Sequence, residues 1–492
     1  MAHRTGPKYS IGSKYQIPLF PVSFDEMLAS DDAVRVYNEF IENVNLASLG
    51  IQLNSNKVGN PSYYPKSMLK LLVFGYSYGV RSSRKLELAA HHNLAFIWLV
   101  DGIQPDHKTI SEFRRNNIAA VKKLIKFTAR LSIELDMIEG NVLFLDGTKI
   151  QGNANIKHHI SIERAREMLP KIDKKIDEMM QEIEKVDAQE AGLESLCKMN
   201  KKLVAKQAYK GKIETFARRL EEDGDEKKSV NMTDSDCVKI PVKNKIVAGY
   251  NAQMVVDGKK GLIVNTEVVS RSNDVNQFAR QIDNANEILD KPCETACADS
   301  GYESTDDLEK ISEQEINVIV PSKRQATKKK VKKFNKSKFK YDRKKDEYKC
   351  PAGKSLKFRK LAKERGEEVR LYKTEKVETC RQCEHFDECV KSSGGRSIRR
   401  YKNEELREKF EANYAKPESQ IIYRCRAPNA EKPFGHIKYN LKMDTFNLRG
   451  IDGVNGEMSL LASAYNIRRL ITEFGVRGLI EKIRKIPEIC IT

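Results

Sequence analysis

Three acids stand where they could share one chemistry. Asp146 follows the apolar run Leu143-Phe144-Leu145 and precedes Gly147-Thr148. Asp299 follows Ala296-Cys297-Ala298 and precedes Ser300-Gly301-Tyr302. Glu431 lies in Ala430-Glu431-Lys432-Pro433-Phe434-Gly435-His436-Ile437-Lys438, at an expected helix start. Taken singly, each has an ordinary explanation. Asp-Gly after a strand is usually a turn, and a Glu among basic residues is usually half of a surface ion pair. Taken together, they fit something more specific. Carboxylates projecting from the ends of neighbouring strands repel, and at least one protonates unless cations intervene. Mg²⁺ takes oxygen ligands and keeps waters, so a few carboxylates plus substrate phosphates suffice to hold it. Two such ions can activate an attacking oxygen and neutralise a leaving one in an in-line displacement at phosphorus.

The charge of the chain points to the same substrate. Its 492 residues carry 88 Lys and Arg against 69 Asp and Glu, a net +19. A pI near 9.3 argues against a small-metabolite enzyme and for a polyanionic partner, nucleic acid before anionic membrane. The most apolar early stretch, Leu69 to Val80, is too short to span a bilayer and contains Lys70. No apolar leader stands at the N-terminus. The expectation is a soluble, cytoplasmic protein of about three domains, in which clustered cysteines suggest metal before disulfide.

The elements that must position the acids can be read from periodicity. Pro65 to Asn117 reads as short helices, with Pro65 in a first turn, Ser82-Ser83 and Asp106 or Thr109 as caps, and Arg114-Arg115 closing the last. Short helices of this kind suit a helix-turn-helix DNA reader. Val142 to Leu145 reads as a strand ending at Asp146. Beyond it, Ile172, Ile176, Met179, Ile183 and Val186 form a coiled-coil stripe. The hairpin Ala252–Val256 and Leu262–Val269, a helix from Asp274, a strand Glu294–Ala298, a short helix and a strand Ile316–Val320 follow. That order is an α/β mixed sheet, as in a ribonuclease H-like core.

Two further constellations lie between the second Asp and the Glu. In Lys323 to Lys345, 13 of 23 residues are Lys or Arg, with Phe334, Phe339 and Tyr341 interleaved. Such a run is either a solvated loop or a phosphate-gripping segment with aromatic anchors. Cys350, Cys380, Cys383 and Cys389, with one C-x2-C pair, either close a tetrahedral Zn²⁺ site or are ordinary free thiols, and His385 is a spare ligand. His436 is near enough to Glu431 to meet the acid site, although packing is the simpler role.

With these residues in view, the chain resembles the DDE transposases of bacterial insertion sequences, particularly those with an N-terminal helical domain. The matching stretches are Tyr64-Pro65 through Arg84, Pro105-Asp106-His107 through Arg115, Phe144 to Ala154, Gly249-Tyr250-Asn251, Ala298 to Tyr302, Glu431 to Lys438, Arg449-Gly450 and Ala464-Tyr465-Asn466 to Leu470. They run in the family's order over nearly the whole chain. The resemblance implies a ribonuclease H-like catalytic domain with Asp146, Asp299 and Glu431 as its Mg²⁺ (or Mn²⁺) triad. It implies cleavage at the element's ends by an activated water, then attack of the freed 3′-hydroxyl on target DNA. The implied partners are double-stranded DNA, as terminal inverted repeats and target, and a second copy of the chain in a homodimer.

Relatives also carry a Tyr-Arg-Glu-Lys signature spaced Y-x2-R-x3-E-x6-K. Tyr423, Arg426, Glu431 and Lys438 fit it, except that four residues separate Arg426 from Glu431, which makes Arg424 a rival. The expected DNA contacts are Tyr423, Arg426, Lys438, Arg84, Arg114 and Arg115. The expected organisation is an N-terminal helical DNA-binding domain over 1–135 and a first catalytic part over 136–325, with a helical insertion at about 157–240. A basic, cysteine-containing insertion over 326–420 and a closing catalytic part over 421–492 complete it.

Overall fold

The computed structural model describes residues 22–486 apart from 52, 54–61, 189–192, 223–228, 243, 328–332, 365–366 and 391. Part of the basic run therefore lies outside the described residues.

The N-terminal helices begin where their caps stand. They are α1 (Val34–Glu42), α2 (Pro65–Ser77), α3 (Ser83–His92), α4 (Leu94–Leu99), α5 (His107–Asn116) and α6 (Ile118–Glu134). Pro65 opens α2, the Ser82 hydroxyl accepts from the Lys85 amide, and the Asp106 carboxylate accepts from the Thr109 amide. The expected helix-turn-helix is modified. Asn93 alone joins α3 to α4, and α5 comes back onto α3 only after the Val100–Asp106 loop.

Strand β1 (Val142–Gln151) leads into β2 (His159–Ser161) and the helical arm α7 (Ile162–Ala188) and α8 (Leu193–Glu222), closed by β3 (Ser229–Asn231). The arm packs on its own small core of Ile160, Ala165, Ile172, Ile176 and Ile213. Pro170 is inside α7. The main sheet resumes with β4 (Val238–Val242), β5 (Lys245–Asp257), β6 (Ile263–Val269), α9 (Phe278–Leu289), β7 (Thr295–Cys297), α10 (Thr305–Ser312) and β8 (Asn317–Ile319). Its order runs β6-β5-β1-β7-β8, with β4 on the same side of β5 as β6. β5 is antiparallel to both β1 and β6, whereas β1, β7 and β8 are mutually parallel. The sheet is mixed, as its element order predicts.

After α11 (Lys323–Ala326) comes a second sheet that the sequence does not advertise. Strands β9 (Lys340–Asp342), β10 (Glu347–Lys349), β11 (Ser355–Glu364), β12 (Glu367–Lys373) and β13 (Ser397–Tyr401) form an antiparallel meander. The short helices α12 (Glu378–Arg381) and α13 (Phe386–Cys389) interrupt it. Helices α14 (Glu404–Tyr414), α15 (Pro417–Arg424), α16 (Lys432–Tyr439) and α17 (Ile451–Lys485) complete the chain, with α17 kinked at Gly475.

One large core joins α1, α2, α6 and α17 to one face of the main sheet, through residues such as Phe40, Leu72, Phe127, Leu145, Ala298 and Leu461. Helix α17 also reaches the outer strand. Asn466 donates to the Ile263 carbonyl at 2.8 Å and accepts from its amide at 2.9 Å. Asn455 does the same for Val268, at 3.0 and 2.7 Å. Among the described residues, no helix is long and apolar enough to cross a membrane.

Candidate active site

Strand register brings the first two acids together. In β1 and β7, Val142 pairs with Thr295, Leu143 with Ala296 and Phe144 with Cys297. Side chains alternate along a strand, so Asp146 and Asp299, each two residues beyond the last pair, leave the same face as Phe144 and Cys297. Asp146 is not at a strand end as expected. β1 continues to Gln151, and Asp146 is opposite Met254 of β5. It is β7 that stops, so Asp299 turns at once and its Oδ1 accepts the Gly301 amide at 2.7 Å.

The third acid comes from above. Phe144, Cys297 and Ile319 form a small apolar cluster with Ala430, and Tyr414, Ile422 and Tyr423 pack against it. That contact seats the segment carrying Glu431 on the face bearing Asp146. The segment Ala427–Glu431 is a π-helical turn. Such a turn takes one residue more than an α-turn, which accommodates the extra residue between Arg426 and Glu431.

Arg426 therefore reaches the acids. Its guanidinium is 3.5 Å from Asp146 Oδ1 and 3.2 Å from Glu431 Oε1, and 5.8 Å from the centre of the Tyr423 ring. Arg424, the rival, is exposed at the end of α15. Tyr423 is half-buried, edge-on to Tyr414 at 5.0 Å. Lys438 donates to Thr148, which shares the Asp146 face of β1 two residues along.

The electrostatics are those of crowded acids relieved by one cation. Burial pushes the Asp146 carboxyl up to about 6; Arg426 opposes the rise, while Asp299 and Glu431 add to it. Arg426 is partly buried, which opposes its charge, but Asp146, Tyr423, Asp299 and Glu431 in turn favour it and raise its pKa. As the side chains lie, no three His, Cys, Asp or Glu groups of the described residues form a closed ligand set. At the acids, Arg426 occupies the place between two of them.

A second set of residues braces the acids, and sequence reading missed it. Asp274 Oδ1 accepts from Asn251 Nδ2 at 2.7 Å and Gln253 Nε2 at 2.8 Å, and the Tyr302 hydroxyl donates to Gln253 Oε1. This network packs against the two glycines that adjoin the Asp146 and Asp299 segments. A Cβ on Gly147 would lie 2.6 Å from Asp274 Oδ1, and one on Gly301 would lie 2.8 Å from Asp299 Oδ1 and 3.3 Å from Asp274 Oδ2. The available signal was Asn251 and Gln253, polar residues two apart in an otherwise apolar strand. Asp274 is ahead of α9, which starts at Phe278 rather than at Asp274.

Other expected positions fall elsewhere. His436 does not meet the acids: its Nδ1 is 2.8 Å from Asn440 Nδ2 and its ring is 5.4 Å from Tyr465. It lines a cavity of about 380 Å³ with Tyr37, Tyr78, Arg468 and Arg469. Arg114 lines the groove that Arg84 and Arg115 border, but its guanidinium is engaged within the protein. It is buried, and its guanidinium donates to the Tyr76 hydroxyl at 3.1 Å and the Arg81 carbonyl at 3.2 Å. Arg84 and Arg115 are exposed and border a groove of about 530 Å³ with His107, Lys108, Ser111 and Asn447. Phe334 and Phe339 are buried, so they serve packing rather than stacking on a nucleic acid. Cys350, Cys380, Cys383 and Cys389 all line one cavity of about 30 Å³.

Residues 349–471 match the model of the transposase DDE domain, and residues 22–116 match that of a transposase domain (DUF772). Arg426, Glu431 and Lys438 fall within the first stretch, whereas Asp146 and Asp299 precede it. No curated protein and no solved structure matches the chain. With transposase domains recognised in both its N-terminal and its C-terminal regions, the chain is a DDE-type transposase and belongs to the DDE transposase family.

Proposed function

We propose that this transposase binds the ends of an insertion sequence and carries out metal-dependent cleavage and strand transfer, with Asp146, Asp299 and Glu431 as its catalytic acids. The observation that carries the reading is the gathering of these acids on one sheet face, two of them bridged by Arg426. The sheet order and strand directions fit a ribonuclease H-like core. The division into units at about residues 135, 325 and 420 follows from it as a functional reading.

The donor chemistry suits the cofactor. Three carboxylates offer hard oxygen ligands of the kind Mg²⁺ or Mn²⁺ takes, and Arg426 marks the same spot as one that accepts positive charge. Bound there, divalent ions would activate the attacking oxygen and offset charge on the leaving one. The protein's own residues do the rest. β1 and β7 hold Asp146 and Asp299 in register, and the cluster around Ala430 seats Glu431 above them. Lys438 and Arg426 stand at the same face to meet DNA phosphates. Arg84 and Arg115 grip the backbone of the element's end in the N-terminal groove. Joining two ends to a target calls for two copies of the chain, so the working unit is a homodimer.

The test is cleavage of the element's terminal repeats by purified protein with Mg²⁺ or Mn²⁺. Wild type is expected to nick and join, and Asp146→Asn to do neither while still binding DNA. Equal cutting by the two proteins would overturn the reading.

A further inference from the structure

The cysteine-bearing sheet raises a question of stability. β9–β13 and their connections span about 60 residues, yet among the described residues their buried cluster is small: Phe339, Tyr348, Leu356, Tyr372 and Ile398, with Tyr341, Cys350 and Cys389 packed against it. This cluster is separate from the large core. The module's ties to α14 are polar: Lys336 to Glu404 at 2.7 Å, and Arg400 to Glu405 and Glu408 at 3.2 and 3.3 Å. A unit below roughly 70–80 residues seldom holds itself with so small a core, and natural ones add disulfides or a structural metal.

The chain converges four thiols on the place where such a staple is needed. Cys350 is in the tight β10–β11 turn, where Gly353 adopts φ +76°. There the Gly353 amide donates to the Cys350 carbonyl at 2.8 Å and the Lys354 amide to Cys350 Sγ at 3.2 Å. Cys380 and Cys383 are in and just after α12, and Cys389 ends α13. Gly395, at φ +73°, backs Cys380 so closely that a Cβ there would lie 3.6 Å from its sulfur. All four sulfur-bearing residues line the same cavity of about 30 Å³, roughly the share of one water molecule.

His385 lines the same cavity, but its ring nitrogens have other partners. Its Nε2 is 3.4 Å from Lys333 Nζ and 3.3 Å from Glu384, its Nδ1 is 3.8 Å from Glu388, and its ring is 5.1 Å from Phe334.

We propose that Cys350, Cys380, Cys383 and Cys389 form a tetrathiolate Zn²⁺ site that holds β9–β13 together, with His385 outside the ligand set. Binding draws the four sulfurs inward across the cavity to the tetrahedral spacing that zinc requires. The role is structural, because four protein ligands leave no open position. The site is independent of the acids on the main sheet.

The full chain, purified without chelator, should carry one zinc per molecule, released when the thiols are blocked with a mercurial. Cobalt substitution should give the charge-transfer and visible bands of a four-sulfur tetrahedral site. His385→Ala and Asp146→Asn should keep the metal, and the pair Cys380→Ser and Cys383→Ser should lose it. Wild-type protein with four freely reactive thiols and no zinc would overturn the proposal, as would a disulfide between any two of the four. Loss of the metal in His385→Ala would overturn the ligand assignment. None of these outcomes bears on cleavage by the acids, which the Asp146→Asn assay reads separately.

Discussion

The acid face of the main sheet and the cysteine cavity of the second sheet gather similar problems and support them differently. Each brings acidic or thiol groups from distant parts of the chain into one place. At the acids, the opposite face of the sheet is buried in the large core, and Arg426 supplies an internal counter-charge. At the thiols, the local core is a small cluster of five buried side chains, against which Cys350 and Cys389 themselves pack. Where packing already fixes the framework, the polar groups are free to serve chemistry. Where it does not, the polar groups must themselves hold the framework.

The strongest test of this contrast is Asp146→Asn. Cleavage should fall at least about 10³-fold, as expected for loss of a group that places charge at the reacting phosphate. Thermal stability should move by less than about 1 kcal/mol, because the change relieves crowding among acids while Arg426 keeps Glu431. A comparable loss of stability would break the comparison. Next is zinc removal by chelator, read by hydrogen exchange. Amides of β9–β13 should exchange at least about 10²-fold faster, while those of β1, β5 and β7 keep their protection.

Gly147→Ala should cost about 1–3 kcal/mol in a denaturant titration, since its Cβ would press on Asp274, Gln253 and Tyr302. Asp274→Asn should lower cleavage about 10- to 100-fold and weaken Mn²⁺ binding with little change in melting, the pattern of a residue that acts through the acids rather than on DNA. The smallest effect distinguishes two neighbouring arginines. Arg115→Ala should weaken DNA binding several-fold and reduce the salt slope by about 1. Arg114→Ala should instead cost about 1–3 kcal/mol of stability by removing the donor that buried Tyr76 and Arg81 share.

The main sheet was legible because its strands are apolar runs punctuated by turns. Even there, the end of β1 was misjudged: Asp146-Gly147-Thr148 carries a turn signature, but cross-strand pairing with β5 keeps it extended. The second sheet was hidden for the opposite reason. β11 alternates Lys and Arg with Leu and Phe, so charge masks its period of two, and β13 joins β12 only after a connection of more than 20 residues. The aromatic residues of the basic run looked like ligands for bases, yet Phe334 and Phe339 are spent on packing.

At the site, residue types and spacing were enough to nominate the acids and Arg426. How Arg426 reaches them was not, because nothing in Ala427-Pro428-Asn429-Ala430 announces a π-turn. Arg114 and Arg115 are alike as letters; only the rotation of α5 decides that one points inward. Asp274 was unreadable because its partners are on β5, more than 20 residues away.

Helix α17 has a consequence for handling the protein. Its Asn455 and Asn466 amides occupy backbone donors and acceptors of β6 that another extended chain would otherwise seize. A truncation ahead of residue 451 would do more than remove a helix: it would unseal a ready template for intermolecular pairing. Shortened versions should therefore precipitate or form cross-strand oligomers, however intact their catalytic carboxylates.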